Sequence, residues 1–222
     1  MFGKSCAVLG GTGSLGFGLV LRLARAGHEV IIGSRSRENA EAAAERARAV
    51  LAEHGIDAGN IRGDENLAAA AAADIVAVTV PYAQQQALLA AVAQHLRGKI
   101  VIDATVPLMP PKVGTVQLPE GGSAAVAAQA LLGEDVRLVS ALQNVAADKL
   151  QSLEPLECDV LVTGNDRDAC AEVVGLIAGL GMEAYYAGPL ANSVAAEALT
   201  SLLITINRQF KCQAGIRITG VK

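Results

Sequence analysis

Apolar residues occur along the chain in short runs, separated by segments in which they recur at helical spacing. Short runs rich in Val, Ile and Leu are typical of strands that are buried on both faces of a sheet. They predict strands at residues 5–9, 29–33, 74–80, 99–104, 136–140, 159–163 and 183–186. The helical spacing predicts helices at residues 15–26, 38–54, 66–72, 84–96, 123–132, 168–180 and 189–211. Because strands and helices alternate, we expect an α/β fold with a parallel, doubly wound sheet. Residues 105–122 interrupt the alternation with four prolines and three glycines, and they predict a long surface loop.

A glycine-rich turn connects the first predicted strand to the first predicted helix. Residues 11–16 read Gly-Thr-Gly-Ser-Leu-Gly, the spacing that binds the pyrophosphate of a dinucleotide in Rossmann-type folds. We expect Gly11 to permit the tight turn, Gly13 to let the backbone approach the phosphates, and Gly16 to let the helix pack close to the strand. The free N–H groups at the start of the helix favour an anion. The predicted phosphate-binding residues are Gly11, Thr12, Gly13, Ser14 and Leu15.

The end of the second predicted strand indicates which dinucleotide binds. Enzymes that use NAD usually place an acidic residue there, whereas this chain has Ser34-Arg35-Ser36-Arg37. A hydroxyl and two guanidinium groups favour the 2′-phosphate of NADP. The same turn also fits a solvated loop that caps the next helix, with Ser36 as N-cap and Asn39 at the third helical position, and both readings can hold together.

The strand predicted at residues 74–80 ends at Val80-Pro81. In open α/β sheets the ligand lies in a crevice at the carboxyl ends of the strands. The backbone of Val80 and Pro81 is therefore a candidate to line the ribose and nicotinamide. The alternative is that Pro81 only ends the strand.

Composition excludes several classes of protein. The 222 residues carry a net charge of −4, and 52% of them are hydrophobic, which is too apolar for a disordered chain. Because the cationic residues are scattered, nothing favours a nucleic-acid partner. The apolar stretch at residues 67–82 contains Asp74 and is interrupted by Pro81, so we expect no membrane span and a cytoplasmic protein.

The four cysteines are far apart and predict buried thiols rather than disulfides or a zinc site: Cys6, Cys158, Cys170 and Cys212.

Candidates for proton transfer are poor. His28 precedes the second strand, at the end of the sheet opposite the crevice, and His54 and His95 lie near helix ends. The sequence contains no Tyr-x-x-x-Lys pair. Dehydrogenation of an alcohol or imine usually needs a proton donor, whereas hydride exchange between two planar carriers depends mainly on proximity and orientation. The pattern favours an NADP-binding Rossmann domain at residues 1–140 and a smaller C-terminal part at 141–222 that borders the acceptor.

Four segments together resemble the NADPH-dependent reductases of coenzyme F420, an 8-hydroxy-5-deazaflavin. They read Gly-Gly-Thr-Gly-Ser-Leu-Gly-Phe-Gly-Leu at 10–19, Ile-Gly-Ser-Arg at 32–35, Val-Ser-Ala-Leu-Gln-Asn-Val at 139–145 and Ala-Gly-Pro-Leu-Ala-Asn-Ser at 187–193. The last two are more specific than the glycine loop. The resemblance runs through nearly the whole chain.

The resemblance implies a hydride transfer between the nicotinamide C4 of NADP and the deazaflavin C5. It implies that Thr12, Ser34 and Arg35 hold the NADP phosphates, to which we add Arg37 from its charge and position. It also implies a homodimer, for which the helix at residues 192–210 is a candidate interface and otherwise a core helix. The residues that it places beside the deazaflavin are Gln143, Asn144, Val145, Ala146 and, in the segment 214–216, Gly215.

The chain departs from the family at two of these positions. Some members have a histidine where this chain has Gln143, and many have a lysine where it has Asn39, a charge that we expect Arg37 to replace. The alternatives are therefore an NADPH-dependent reductase of another planar acceptor, a flavin or a pterin, and a module that senses NADP(H) without turnover.

Overall fold

A computed structural model describes residues 4–221 of the chain. The strands are β1 (Ser5–Leu9), β2 (Glu29–Ser34), β3 (Ile61–Glu65), β4 (Ile75–Val78), β5 (Ile100–Asp103), β6 (Arg137–Ser140), β7 (Asp159–Gly164) and β8 (Glu183–Tyr186). The helices are α1 (Ser14–Arg25), α2 (Arg37–Glu53), α3 (Asn66–Ala72), α4 (Tyr82–Val92), α5 (Ala124–Leu132), α6 (Ala147–Gln151), α7 (Arg167–Gly179) and α8 (Ser193–Phe210).

The eight strands form one sheet in the order β3-β2-β1-β4-β5-β6-β7-β8. Every neighbouring pair is parallel except β6 and β7, which are antiparallel. The predicted α/β, doubly wound Rossmann-type fold is confirmed. Because the chain crosses from β3 at one edge to β4 on the other side of β1, the strand order reverses at β1. The crevice at the carboxyl ends of β1 and β4 is thus where such folds bind ligands.

Helices cover both faces of the sheet, and each face has its own apolar core. Alternate residues of β1 separate the two cores, with Val8 in one, and Ala7 and Leu9 in the other. The first core packs β-strand side chains against α1, α2 and α7, and the second packs them against α3, α4 and α5. Burial on both faces explains why these strands are apolar throughout rather than alternating.

The sequence missed two elements, β3 and α6. β3 is polar because it lies at the sheet edge, where backbone pairing with β2 holds it. Its Gly63 packs so closely on α2 that a side chain would overlap the backbone of Ala40. α6 has five residues, too few for a helical period to be visible. The predicted parallel sheet contains one antiparallel pair, β6 with β7, and the hydrophobic pattern does not encode this reversal.

Other predictions are confirmed with small changes. Residues 105–122 contain no helix or strand, and hydroxyl groups of α8 hold them through the carbonyls of Gly114 and Thr115. A 3₁₀ turn precedes α8. All four cysteines are free thiols, but Cys212 is exposed and Cys158 half-buried, so the expectation of buried thiols holds only for Cys6 and Cys170.

The C-terminal part shares the sheet with the rest of the chain. The reversal between β6 and β7 lies beside the predicted boundary at residue 140, and the division into 1–140 and 141–222 stays a prediction. The segment Leu190–Phe210 is long and apolar enough to cross a membrane by length and composition alone, and 33% of its apolar window is buried inside the structure. Core helices of soluble proteins pass the same test, and this helix carries the buried Glu197.

Candidate functional site

A cleft of about 680 Å³ opens at the carboxyl ends of β1, β2 and β4. It brings together segments that are distant in sequence but adjacent in the sheet. Among the residues that line it are Thr12, Gly13, Ser34, Arg35, Val80 and Pro81. The structure thus places the predicted phosphate-binding turn, the predicted 2′-phosphate residues and the predicted nicotinamide wall around one cavity.

The glycine turn after β1 has the shape that a phosphate loop needs. The left-handed residue is Gly10, with φ +83°, and not Gly11 as the turn pattern suggests. Gly11 is required for space, since a Cβ there would lie 2.9 Å from the carbonyl oxygen of Val8. A Cβ on Gly16 would lie 2.6 Å from the carbonyl oxygen of Gly10, so only glycine lets α1 approach the strand. A Cβ on Gly13 would meet one neighbouring atom, at 3.3 Å, which leaves space for a ligand.

The N-terminus of α1 is prepared for an anion. Gly13 is its N-cap and offers no side-chain cap, and the first turn of the helix contains no acidic residue. The backbone N–H groups of Ser14, Leu15 and Gly16 have no acceptor within residues 4–221. Unpaired N–H groups and the helix dipole together attract phosphate. The geometry therefore fits the pyrophosphate of a dinucleotide.

Two residues of the turn after β2, Ser34 and Arg35, line the cleft, whereas Arg37 does not. Ser34 is the buried last residue of β2, and Arg35 is exposed at the cleft. Ser36 caps α2 by accepting from the N–H of Asn39, as predicted. Arg37 contacts carboxylates instead, with its Nε 2.9 Å from Glu41 and 4.0 Å from Asp64. The role of Arg37 in phosphate binding stays a prediction.

Asn39 also lines the cleft. Its exposed amide lies on the first turn of α2, beside the end of β2. Glu65, at the end of β3, is the one carboxylate among the lining residues. The cationic side chain that faces this part of the cleft is therefore Arg35.

The segment that follows β6 is held by buried hydrogen bonds. The side-chain amide of Gln143 donates to the carbonyl oxygen of Asp103 at 2.8 Å and to Ser140 at 2.9 Å. The side-chain amide of Asn144 donates to the carbonyl oxygen of Ala196 in α8 at 2.8 Å. These hydrogen bonds occupy the NH₂ groups of both side chains, and Val145 is buried, so the segment is held in place at the site.

A second pocket of about 290 Å³ lies beside this segment. Ala146 and Gly215, two of the residues predicted to border the acceptor, both line it. Gly215 packs on Cys158, where a Cβ would lie 2.6 Å from the Cys158 Cβ. Lys149 supplies a cation at the same pocket. The pocket thus joins α6 to the C-terminal segment.

α6 and α1 pack closely, which brings the second pocket near the phosphate loop. Gln151 of α6 donates from its side-chain amide to the carbonyl oxygen of Ser14, at 2.9 Å, in the first turn of α1. A Cβ on Gly18 would lie 2.6 Å from the Cβ of Leu150, so glycine permits this contact. The buried guanidinium of Arg22 donates to carbonyl oxygens of α6 and the loop after it, at Lys149, Leu150 and Glu154.

Two buried carboxylates near the end of β5 were not recognised from the sequence. Asp103 is fully buried, with one oxygen 2.5 Å from the Gln85 amide and the other 3.0 Å from the Thr105 N–H. Burial raises the pKa of Asp103 to about 6 despite these hydrogen bonds. Its only sequence signal is an acidic residue that ends an apolar strand.

Glu197 is the second buried carboxylate. It lies on α8 and accepts the N–H groups of Ala124 and Ala125 at 2.7 and 3.1 Å, so it caps α5 from another helix. Burial, and to a lesser extent the charge of Asp103, raises the pKa of Glu197 to about 7. The three histidines lie outside the residues that line the two pockets.

Comparisons with known proteins agree with this geometry. The profile of a family described as "NADP oxidoreductase coenzyme F420-dependent" matches residues 5–107. The F420-dependent NADP reductase of Methanocaldococcus jannaschii is 41% identical over 97% of this chain and 98% of its own. The enzyme of the same name from Methanothermobacter thermautotrophicus is also 41% identical, over 97% of this chain and 94% of its own.

Solved structures show the same fold. A putative F420-dependent NADP reductase from Arthrobacter sp. FB24 superposes with a TM-score of 0.80 and 28% identity, over 98% of this chain and all of that one. A pyrroline-5-carboxylate reductase from Coxiella burnetii, 14% identical, has a TM-score of 0.59 over 96% of this chain and 73% of its own, which shows the fold alone. With two relatives 41% identical over almost their whole length, the chain belongs to the family of F420-dependent NADP reductases.

Proposed function

We propose that this chain transfers a hydride between NADP(H) and coenzyme F420, with NADP in the large cleft and the deazaflavin beside residues 143–146 and 215. The observation that carries the proposal is the N-terminus of α1, whose three unpaired N–H groups directly follow Thr12 and Gly13 in the cleft that Arg35 also lines. The activity named for the relatives matches this anion-binding geometry.

The 2′-phosphate is assigned to the turn after β2. Arg35 is the cation at the cleft, Ser34 supplies a hydroxyl, and Asn39 supplies amide donors. An arginine offers two parallel N–H donors to a phosphate, which a neutral ribose hydroxyl does not need. Because Arg37 already contacts Glu41, we assign the phosphate to Asn39 in preference to Arg37.

NADPH, when bound, supplies a hydride from its nicotinamide ring to the planar acceptor. The chain's own contribution is placement. Val80 and Pro81 wall the cleft beyond the phosphate loop, and the rigid segment from Gln143 to Ala146 lies between α8 and the second pocket. Two rings held close together and out of water react by proximity, without an acid or base from the protein.

We assign the pocket lined by Ala146 and Gly215 to part of the acceptor. One cation, Lys149, and one carboxylate, Glu157, line it, so its charge is balanced. The ground for the assignment is that Ala146 and Gly215, two of the residues proposed to border the deazaflavin, both line this pocket.

A homodimer is part of the same proposal. The exposed face of α8 presents Leu202, Ile206 and Phe210, one helical turn apart, and Phe210 is 67% exposed. An apolar stripe of this kind on a helix is typical of a surface that pairs with a second copy. The expected absence of nucleic-acid and membrane partners and the cytoplasmic location stay predictions from the sequence.

A stopped-flow experiment tests the acceptor. The protein is mixed with NADPH and purified F420, and the visible absorption of the oxidised deazaflavin is followed, with FMN as the control acceptor. We expect rapid bleaching of F420 and slow or no bleaching of FMN. Bleaching of FMN at the same rate would favour a general flavin reductase, and NADPH binding without bleaching of either would favour an NADP(H) sensor.

A further inference from the structure

The large cleft has an apolar part that the phosphate groups of a dinucleotide do not need. It is formed by the exposed face of α4 and by Leu67 of α3, a helix that packs beside α4. Leu67 is 50% exposed, and on α4 the half-buried Leu88 adjoins the exposed Ala87. Apolar side chains that stay accessible inside a cleft favour a flat, apolar ligand group, because that group shields them from water.

This apolar part lies next to the site assigned to the 2′-phosphate. Ser34 and Glu65 are partners in the parallel pairing of β2 with β3, and Leu67 follows Glu65 by two residues. In NADP(H) the adenine base and the 2′-phosphate are attached to neighbouring carbons of one ribose. A 2′-phosphate at Ser34 and Arg35 therefore brings the base close to the start of α3, where a flat face of the ring can pack against Leu67.

Glu65 supplies an accessible hydrogen-bond acceptor at the same place. Its exposed side chain lines the cleft, caps no N–H group of α3 and forms no salt bridge with the described residues. A carboxylate on the strand next to Ser34, about 4.8 Å away, opposes a phosphate there unless a donor on the ligand meets it. The 6-amino group is the donor that adenine offers. We propose that Leu67 packs on the adenine ring of NADP(H) and that Glu65 accepts a hydrogen bond from its 6-amino group. The proposal rests on the NADP site of the proposed function.

This arrangement selects adenine over a purine with an oxygen at position 6, such as hypoxanthine. An ionised carboxylate only accepts hydrogen bonds, so it favours an amino group and opposes a carbonyl oxygen. Gln84 of α4 also lines the cleft, but its amide offers both a donor and an acceptor and can pair with either base. A preference for adenine therefore distinguishes Glu65 from Gln84.

The test compares the binding of NADPH with that of its analogue in which hypoxanthine replaces adenine, by isothermal titration calorimetry. Both probes carry the same phosphates, so the ratio of their dissociation constants reports the base alone. The wild-type protein should bind the analogue about tenfold more weakly, the scale of one hydrogen bond to a charged group. Glu65→Gln should reduce this ratio to less than about threefold, because an amide serves either base. Glu65→Lys should reverse the preference, because an ammonium group donates to the 6-oxygen.

Two further variants complete the test. Asp64→Asn is the matched control, since Asp64 is the neighbouring carboxylate of β3 but contacts Arg62 and Arg37 and does not line the cleft. It should keep the wild-type ratio. Leu67→Ala should weaken both probes about three- to tenfold and also keep the ratio, because the two bases are equally flat. The side chains of Glu65 and Leu67 are exposed, so these variants should fold, which thermal unfolding checks.

The outcomes separate this inference from the proposed function. A wild-type protein that binds NADPH but does not distinguish the two bases overturns the inference, as does an unchanged ratio in Glu65→Gln and Glu65→Lys. Unchanged binding of both probes by Leu67→Ala overturns the place assigned to the ring. If the wild-type protein binds neither probe, the NADP cleft is assigned wrongly and both proposals fail. Because no arm contains F420, an error about the acceptor leaves the result unaffected.

Discussion

The wild-type fold should lose stability as the pH rises to neutral and above, because the buried Glu197 ionises there. We expect Glu197→Gln to abolish this pH-dependent loss. Glu197 accepts two backbone N–H groups of α5 but contacts no cation among the described residues. Burial raises its pKa from 4.5 to about 7. Between these two values the folded protein holds a proton that the unfolded chain has lost, so the free energy of unfolding falls as the pH rises.

The size of this effect follows from the pKa. Each unit of difference corresponds to about 1.4 kcal/mol, so the shift from 4.5 to about 7 is worth at most about 3.5 kcal/mol. The loss begins near the ordinary pKa of a glutamate and is complete above about pH 7. Glutamine keeps one acceptor for the N–H groups of Ala124 and Ala125 and cannot ionise. At low pH the variant should be about 1–2 kcal/mol less stable than wild type, because its NH₂ group faces one of these donors.

Urea unfolding from about pH 5 to pH 8 measures this difference, since the variant, which is less stable than wild type at pH 5, should become the more stable protein by about pH 8. Asp103, whose pKa burial also raises, to about 6, contributes a fall of the same sign in both proteins, so the difference between them reports Glu197 together with its coupling to Asp103.

Asp166→Asn is the control for Glu197→Gln. Asp166 also caps a helix with two backbone contacts, but Arg137 holds its pKa down, at about 2. Asp166 therefore stabilises the fold above the ordinary pKa of an aspartate, and this contribution is lost as the pH falls. Its variant should differ most from wild type at neutral pH, the opposite trend. Parallel curves for wild type and Glu197→Gln over the whole range would contradict the assignment of a buried, largely protonated Glu197.

Three further predictions concern ligand sites and assembly. Arg35→Ala should weaken NADPH binding by about 1.5–3 kcal/mol and hardly change NADH binding. Arg37→Ala should leave the binding of both nearly unchanged, because Arg37 contacts Glu41. Fluorescence titration measures both affinities, and equal losses for NADPH and NADH in Arg35→Ala would refute the 2′-phosphate assignment. Gly215→Val should raise the KM for F420 and leave the dissociation constant of NADPH unchanged, because the new side chain overlaps Cys158; steady-state kinetics with an unaltered KM would contradict an acceptor at this pocket. Phe210→Asp should convert a dimer to a monomer in sedimentation equilibrium, and an unchanged mass would place the interface elsewhere.

Local patterns predicted the core of the fold because each strand there is buried on both faces and each helix has one apolar face. The position of the glycine turn and of the Ser34-Arg35 pair at the cleft was also predictable, because each of these features consists of consecutive residues at the end of a predicted strand. β3 was missed because an edge strand is held by backbone pairing, so Arg62 and Asp64 are tolerated in it. The direction of β7 was missed because reversing a strand between the same layers leaves its burial pattern unchanged.

Long-range polar contacts were beyond a reading of the sequence. Asp103 and Glu197 are ordinary acidic residues along the chain, and only the packing of α8 on α5 makes them buried neighbours.

α8 determines the shape of the acceptor side. Its Glu197 fixes the start of α5, and its Thr200 hydroxyl donates to the carbonyl oxygen of Gln143 at 2.9 Å. Further along, Thr205 holds Gly114 in the long loop, and the side-chain oxygen of Asn207 accepts the N–H of Ala214 at 2.7 Å, beside the second pocket. One helix thus positions four separate segments, of which Gln143 and Ala214 lie at or beside the proposed acceptor site. The cleft proposed for NADP is formed instead by β1, β2, β4 and their loops. If both sites lie where we propose, we expect a change of acceptor to involve α8 and the segments it holds, and to leave the NADP cleft intact.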